Sequence, residues 1–383
     1  MTDTRLTVLF DLDDTLLSND MDVFFPFYLK TLSQHMDVAP LDQLASILMA
    51  GTKQMMVKTL PAETLEETFD KTFYPGLGID KDSVRDRVDE FYSIGFNQLT
   101  HHTALRPEAR SVVEHCFTKG YQTVIATNPL MPLQANLNRL RWANVPADDF
   151  PYTLITSYET SHFCKPHPAY YAEILGRLGW KQEPVVMIGN SRDDDIVPSL
   201  QLGIPAFWLI YESEMPNATE IPANCTTGRF NQIPAWLDEI AANHTTPKPV
   251  TPEGLLAVLQ STPAVLATFV KSFSSKKEEL LASLHQLIAA ETSVNIPEFS
   301  AVIGQVPDES HAESSKRNGS IFETLEQFVS MRTTLLTQIL PHRQNWTGAL
   351  EEQKNEQDLI SCMRRIAQND QQTIRSLYST FET

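Results

Sequence analysis

The sequence predicts an α/β fold: a parallel sheet covered by helices, with a helical insertion after its first strand and an all-α bundle at the C-terminal end. Three observations predict it. Short apolar runs of strand length alternate with helical patterns in the first part of the chain, which is typical of parallel sheets covered on both faces. Residues 17–104 have helix-like spacing and no convincing strand. Beyond residue 252, apolar residues recur only at helical spacing.

The sheet is predicted from five apolar runs, the last of which is weaker than the others. These runs cover residues 6–10, 122–126, 184–188, 204–210 and 152–155. Helices are expected between them, at residues 107–119, 133–141 and 169–178. We assign residues 1–16 and 105–242 to this α/β core.

The insertion at residues 17–104 is predicted to form a helical cap, with helix-like spacing at 41–60 and 81–100. Because it begins directly after the first strand, it should lie above the carboxyl end of that strand. Ligands of open α/β sheets bind in the crevice at that end. An insertion there is well placed to act as a lid.

The C-terminal part is predicted to be a four-helix bundle over residues 253–383, joined to the core by a linker at 243–252. The linker contains three prolines, which favour extended backbone before each of them. Helical patterns follow, with a polar stretch at 308–320 between the second and the third. These patterns cover residues 253–271, 276–292, 320–340 and 355–378.

Charge and composition exclude several classes of partner. The 383 residues include 30 Lys and Arg against 48 Asp and Glu, a formal net charge of −18. That charge would repel nucleic acid and anionic membranes. No apolar run approaches the roughly 20 residues of a membrane span, the first residues lack the order of a signal peptide, and the four cysteines lie far apart. We expect a cytoplasmic protein with reduced thiols that binds neither nucleic acid nor membranes.

Two carboxylates follow the first strand, at Asp11 and Asp13. At the end of a strand, residues i and i+2 point the same way, so both carboxylates should face one crevice. Two anions so close repel each other unless a cation lies between them, and Mg²⁺ with oxygen ligands is the expected cation. The simpler interpretation is that both residues open a turn, where Asp is common.

Three further features lie at the ends of predicted strands, one after another along the chain. Thr127 and Asn128 follow the second run and could hold an oxyanion with a hydroxyl and loop N–H groups. Lys165 precedes a proline-stiffened helix start and could bridge phosphate and carboxylates. An acidic cluster at 190–195 follows the third run. Taken singly, Thr127 can be interpreted as a turn residue, Lys165 as a surface lysine and the acidic cluster as a helix cap. The combination of all of them in this order is difficult to obtain by chance.

With these four motifs, residues 5–240 resemble the haloacid dehalogenase-like (HAD) hydrolase superfamily. Asp11-Leu12-Asp13-Asp14-Thr15 is similar to its DxDxT motif, Thr127 to its second-motif Ser or Thr, Lys165 to its third-motif lysine, and 190–195 to its acidic fourth motif. The resemblance implies a HAD-like Rossmannoid sheet, with 17–104 as a helical cap of the first type. It also implies cleavage of a small soluble phosphate monoester.

The resemblance further implies the role of each residue. Asp11 would attack phosphorus to give an aspartyl-phosphate, and Asp13 would protonate the leaving oxygen and then deprotonate water. Thr127, the Asn128 amide and Lys165 would hold the phosphoryl oxygens. Dehalogenation is rejected, because a departing halide needs no proton and the Asp13 carboxylate would have no function.

The implied Mg²⁺ ligands are Asp11, the Asp13 carbonyl and Asn190. Here the sequence departs from the family pattern, which has Asp at the position of Asn190. An amide oxygen can ligate Mg²⁺ but brings no charge, and a unit charge about 4 Å away is worth up to ~4 kcal/mol at an effective dielectric of ~20. Asp194 and Asp195 could compensate from outside the ligand sphere. We expect an active site that needs high metal concentrations.

Several segments of the C-terminal part carry a second, weaker resemblance: 254–259 with Thr262-Pro263, 291–299, Phe328 with Arg332, Trp346 and 366–370. Through them the last ~130 residues weakly resemble the DinB-like four-helix bundle. That fold often binds a divalent metal through three histidines, and the matching positions here are Gln286, Asn369 and Thr373. These are poor nitrogen donors, so we predict a metal-free bundle. The adjacent His285 is interpreted as an ordinary histidine, and the bundle as a docking or stabilising module.

Two functions remain in competition. The first is a Mg²⁺-dependent phosphatase of a small soluble phosphate. The second is a catalytically weak or inert HAD-like scaffold whose C-terminal bundle recruits a partner. The substrate is not identified by sequence: the cap residues Tyr28, Lys30, Lys53 and His101 could reach the crevice, but spacing alone does not orient them.

Overall fold

The computed structural model describes residues 6–211, 218–243, 246–273, 276–302, 320–346 and 357–381. Six parallel strands form one sheet: β1 (Thr7–Phe10), β4 (Gln122–Ile125), β5 (Leu154–Ile155), β6 (Val185–Gly189), β7 (Ala206–Leu209) and β8 (Cys225–Gly228). Their order across the sheet is β5-β4-β1-β6-β7-β8. Strand β1 pairs on both sides, with Phe10 opposite Ile125 and Ile188.

The two faces of the sheet bury different helices, because side chains alternate along each strand. Val8 and Phe10 pack with α5 (Ala109–Thr118) and α9 (Ile233–Asn243). Leu9, between them, packs on the opposite face with α7 (Pro168–Arg177). The remaining helices of the core are α6 (Leu133–Trp142) and α8 (Val197–Gln201). With both faces covered, ligands can reach the sheet only at a strand end.

The insertion is a set of helices with its own apolar core. A two-stranded antiparallel ribbon of β2 (Leu17–Ser18) and β3 (Ala104–Leu105) brackets it. Its helices are α1 (Met21–Met36), α2 (Leu41–Val57), α3 (Leu65–Leu77) and α4 (Arg85–Ser93), followed by a 3-10 segment at Gly95–His102. Thr64 begins α3 with a capping box, in which its hydroxyl accepts from Glu67 N and the Glu67 carboxylate accepts from Thr64 N.

The C-terminal part is helical throughout its described residues. Its helices are α10 (Pro252–Ser272), α11 (Lys277–Ala290), α12 (Ile296–Val302), α13 (Ile321–Ile339) and α14 (Gln357–Phe381). Helix α10 is long and apolar enough to cross a membrane, but 83% of its most apolar window is buried in the protein. It is therefore a core helix, and it packs directly on α7.

The helices of the C-terminal part share one apolar core with the sheet. A Cβ added to Gly176 of α7 would lie 2.4 Å from Val265 of α10, so the two helices can approach this closely only with glycine there. The segment 246–251 is extended and lies against the core, where Val250 N donates to Gln201 O at 2.9 Å. The C-terminal part is thus packed against the α/β core through α10 and α14, which both contact α7.

The five predicted strands are confirmed, and so is the α/β class with a helical C-terminal region. Strand β8 was missed because its sequence, Cys-Thr-Thr-Gly, is a short, half-exposed edge strand without an apolar run. The 276–292 pattern ends in a π-helical turn at Glu291–Asn295 before α12. Most of the polar stretch at 308–320 lies outside the described residues.

Candidate active site

Three neighbouring strands bring the predicted motifs to one edge of the sheet. Asp11 follows β1, Thr127 follows β4 and Asn190 follows β6, and the three strands are adjacent in the order β4-β1-β6. The carboxyl ends of parallel strands meet at one edge, so residues distant in sequence converge there. Asp11 and Thr127 are buried, with 7% and 1% of their surface exposed, while Asn190 is half-buried.

Lys165 lies between two carboxylates at this edge. Its Nζ donates to Asp11 Oδ1 at 2.7 Å and to Asp195 Oδ1 at 2.6 Å. We call Asp11, Lys165 and Asp195 the open triad. Burial raises the pKa of Asp11 to about 7, against the lowering effect of the lysine, and Asp195 raises it further. The two carboxylates hold the pKa of Lys165 well above its usual value despite its burial, so it stays charged.

Asp195 is fixed by its second oxygen and by a glycine. Ser191 N donates to Asp195 Oδ2 at 2.9 Å. A Cβ added to Gly189 would lie 2.2 Å from that same oxygen. Any side chain at Gly189 would therefore displace the carboxylate, and with it Lys165. Gly189, which ends β6, therefore belongs to the site, because its lack of a side chain leaves room for the Asp195 carboxylate.

The Asp13 carboxylate accepts hydrogen bonds from Arg139 Nη1 and, at 2.7 Å, from Asn19 Nδ2. β1 ends at Phe10, and Asp14 has a φ of 54°, so strand alternation does not extend to residue 13. Arg139, on α6, balances the charge of this carboxylate. The expected metal contact of residue 13 is through its carbonyl and stays a prediction.

The remaining predicted residues lie on the loops that follow β4 and β6. The Thr127 carbonyl accepts from the hydroxyls of Tyr170, at 2.8 Å, and Thr156, at 2.7 Å, which fixes the loop after β4. Asn128 Oδ1 is buried and has no hydrogen-bond partner among the described residues. Asn190 Oδ1 accepts from the Thr15 hydroxyl at 3.2 Å.

Asp194 lies beside the open triad but does not contact Lys165 through a hydrogen bond described in the structure. Burial, followed by the charge of Asp195, raises the pKa of its carboxyl group. Its carbonyl accepts from Tyr171 OH at 2.8 Å, and its N–H donates to Ser191 Oγ at 3.1 Å. It is therefore held at the edge of the site by its main chain.

The donor chemistry at this edge fits a small hard cation such as Mg²⁺. The open triad places two carboxylates around one lysine. Burial, and to a smaller extent the charge of Asp195, raises the pKa of Asp11, so a cation beside Asp11 would stabilise its ionised form. The available donors are oxygens: the Asp11 carboxylate, the Asp13 carbonyl and the Asn190 amide. In the described part of the chain no group of three His, Cys, Asp or Glu side chains is arranged to hold a metal; this set would contribute only one carboxylate.

Sequence reasoning missed Arg139 and Asn19. Arg139 is 126 residues from Asp13 and only 3% of its side chain is exposed. A buried arginine on an amphipathic helix has no local signature, because its partner becomes adjacent only after folding. Asn19 is six residues after Asp13 and is buried, but it stands between Ser18 and Asp20, so no local pattern singles it out.

The three matching positions of the C-terminal part lie on two helices, Gln286 on α11 and the other two on α14. Gln286 is exposed, and Thr373 Oγ1 donates to the Asn369 carbonyl at 2.9 Å. His285 is half-buried, with an Nε2 that has no described partner. The resemblance to the DinB-like bundle and the absence of metal from it stay predictions.

A family model described as haloacid dehalogenase-like hydrolase matches residues 6–198. No curated protein matches the chain. Similar solved structures include a HAD phosphatase from Thermococcus onnurineus, 16% identical over 60% of this chain and 97% of that one, with a TM-score of 0.39. A 2-haloacid dehalogenase from Pseudomonas syringae pv. tomato DC3000 is 20% identical over 61% and 99%, with a TM-score of 0.43. At such identities the likeness concerns fold alone.

Proposed function

The chain belongs to the haloacid dehalogenase-like hydrolase family, and from this premise we propose that it is a Mg²⁺-dependent phosphatase of small phosphate monoesters. The observation that carries the proposal is the position of Lys165, which lies 2.7 Å from one oxygen of Asp11 and leaves the other oxygen without a hydrogen-bond partner among the described residues. A carboxylate held in this way is oriented and still able to attack.

In the proposed reaction Asp11 attacks phosphorus and displaces the alcohol, giving an aspartyl-phosphate that water then hydrolyses. Lys165, with the loop at Thr127 and Asn128, faces the negative charge that develops on the phosphoryl oxygens. Asp13 gives a proton to the leaving oxygen and later takes one from water. When bound, Mg²⁺ would be held by Asp11, the Asp13 carbonyl and Asn190, and would neutralise phosphoryl charge.

The acid–base role of Asp13 requires its side chain to move. Its carboxylate is held by Arg139 and Asn19, so it must exchange these contacts for the leaving oxygen. Residue 13 lies four residues before β2 of the ribbon that brackets the cap. A change in the position of the cap could therefore be coupled to this rotation.

The test is turnover of a panel of phosphate esters by the purified protein with millimolar Mg²⁺. Asp11→Asn should abolish hydrolysis, a loss of about 10⁴-fold or more, because the variant lacks the nucleophile. Asp193→Asn is the matched control: that carboxylate belongs to the same acidic cluster but is 80% exposed, and it should retain full activity. Hydrolysis that survives Asp11→Asn would contradict the mechanism.

The competing scaffold function is favoured by two observations: the Asp13 carboxylate is already paired, and Asn190 brings no charge. It predicts that a calorimetric titration detects no Mg²⁺ binding at millimolar concentrations and that no ester is hydrolysed. Clear Mg²⁺ binding that is lost in Asp11→Asn would exclude it.

A further inference from the structure

An apolar cavity of about 130 Å³ lies between the cap and the core. Cap helices α1 to α4 form most of its wall, through residues such as Phe25, Tyr28, Phe73 and Val88. The core closes it with Leu130 and other residues of the loop that follows the phosphate-facing Thr127 and Asn128.

The cavity adjoins the proposed acid. Asn19 Nδ2, which donates to Asp13 at 2.7 Å, also lies 3.6 Å from the sulfur of Met21, and Met21 lines the cavity. On the other side, Leu130 N donates to the Asn128 carbonyl at 2.9 Å. The cavity is therefore on the side of Asp13 and of the phosphate-facing loop, which is where a departing alcohol would be held.

The wall carries no charge among the described residues. Seven of its sixteen lining residues are aromatic. The hydroxyl groups of Tyr28 and Tyr92 are 2.8 Å apart and bond to each other, and burial raises the pKa of Tyr28 to about 12, so it is neutral at physiological pH. Thr52 donates its hydroxyl to the Leu48 carbonyl at 2.9 Å. The remaining hydroxyls of the described wall are those of Tyr74 and Tyr158. Two hydroxyls and no charged side chain are too few to replace water around a charged or polyhydroxylated group.

The size of the cavity limits what can enter. An apolar cavity of about 150 Å³ holds benzene, so this one accepts a group about the size of a single ring. The cap residues that could have bound a sugar or a second phosphate do not line it: Lys30, Lys53 and His101 are exposed.

We propose that this cavity selects the leaving group, and that the substrates are phosphate monoesters of alcohols carrying one uncharged apolar group, such as a single aromatic ring. The inference rests on the proposed phosphatase function for its catalytic part, while the binding part stands by itself. Sugar phosphates and nucleotides would leave their polar groups unpaired against this wall and should be poor substrates.

Binding is tested without catalysis. 4-Fluorobenzyl alcohol, followed by its ¹⁹F signal, should bind the wild-type protein, and Val88→Trp should weaken binding by at least about tenfold because the indole fills the cavity. The matched control is Val57→Trp, on a helix of the same cap, where the valine is 58% exposed and does not line the cavity. No wild-type binding, or equal binding by the two variants when both are folded, would overturn the inference.

Catalytic selectivity is tested on the wild-type protein, so that it does not depend on the folding of a variant. Benzyl phosphate should exceed glycerol 1-phosphate and glucose 6-phosphate in kcat/KM by about tenfold or more, and naphthylmethyl phosphate, with twice the ring area, should fall below benzyl phosphate. Equal kcat/KM values across the panel would overturn the selectivity while leaving the phosphatase intact. Alcohol binding with no hydrolysis of any ester would instead refute the phosphatase and retain the cavity.

Discussion

Two clusters of buried side chains in this protein have the same charges and differ in how the cation contacts its carboxylates. In the open triad, Lys165 lies between Asp11 and Asp195. In the interior of the C-terminal helices, Arg332 lies between Glu291 and Asp370, and all three side chains are fully buried; we call this the sealed triad. Each cluster contains one cation and two carboxylates.

The difference lies in how many carboxylate oxygens the cation occupies. The guanidinium group of Arg332 contacts both carboxylates. Its Nη1 and Nη2 donate to the two oxygens of Asp370 at 2.6 and 3.1 Å, and its Nε donates to Glu291 at 2.7 Å. Thr262 donates to Asp370 as well, at 2.9 Å. Lys165 is a point charge and contacts one oxygen of Asp11. Each cluster keeps one carboxylate oxygen without a hydrogen-bond partner among the described residues. In the lysine cluster it is the second oxygen of Asp11, at the edge of the sheet, whereas in the arginine cluster it is Glu291 Oε2, enclosed by helices.

The largest expected effect is on the sealed triad. Arg332→Met should destabilise the protein by about 3–5 kcal/mol, because it leaves two buried carboxylates without a counter-charge. Urea unfolding of the purified variant measures the change. The matched control is Arg365→Met, whose side chain is 44% exposed and pairs with Glu298; it should cost about 1 kcal/mol or less.

If Arg332→Met is as stable as Arg365→Met, the sealed triad does not have the structural role assigned here. Adding Glu291→Gln to Arg332→Met should recover part of the loss, because burial already raises the pKa of Glu291 and the second substitution removes one uncompensated charge.

A smaller effect, with a defined pH dependence, is expected in the open triad. The pKa of Asp11 is about 7 in the folded protein and 3.8 as the ordinary value. The protonated form is thus favoured by folding, so its contribution to stability is present below about pH 4 and is lost as the pH rises through 7. Without divalent metal, Asp11→Asn should not lose stability in this way, because the amide does not ionise. Above pH 7 the variant should be more stable than wild type by about 1–3 kcal/mol.

The measurement is urea unfolding in the presence of EDTA from pH 4 to 8, with Asp193→Asn as the control that should follow wild type at every pH. Adding Mg²⁺ at pH 8 should reduce the difference between Asp11→Asn and wild type, since a cation beside Asp11 stabilises the ionised form. If Asp11→Asn is no more stable than wild type at pH 8 in EDTA, the surroundings of Asp11 do not raise its pKa in the folded protein.

The smallest expected effect concerns the side-chain amide of Asn190, next to the open triad. Asn190→Asp adds a charge beside Asp11 and should tighten Mg²⁺ binding by about tenfold, equivalent to ~1.4 kcal/mol. Calorimetric titration measures it, and Asn231→Asp, which adds the same charge at an exposed position, should change the affinity little. If the two variants bind Mg²⁺ equally well, Asn190 is not a ligand.

Local sequence patterns were sufficient to predict the main sheet and the edge of it that carries the motifs. The apolar runs predicted five of the six strands of the main sheet, and the motif spacing placed Asp11, Thr127, Lys165 and the 190–195 cluster at one edge of it. This works because the position of a strand end is set by a few consecutive residues, and parallel strands must all end at the same edge.

Tertiary structure decided what each polar group contacts and what space is left between elements. The pairing of Asp13 with Arg139, the docking of the C-terminal helices through Gly176 and Val265, and the sealing of Arg332 all join residues far apart in the chain. The uncharged cavity beneath the cap is likewise formed by four helices and a core loop. The sequence by itself therefore determined which residues carry charge and which strand ends present them. Only the packed structure determined which charges neutralise one another and which remain free to react, because that depends on distances and burial that no local pattern encodes.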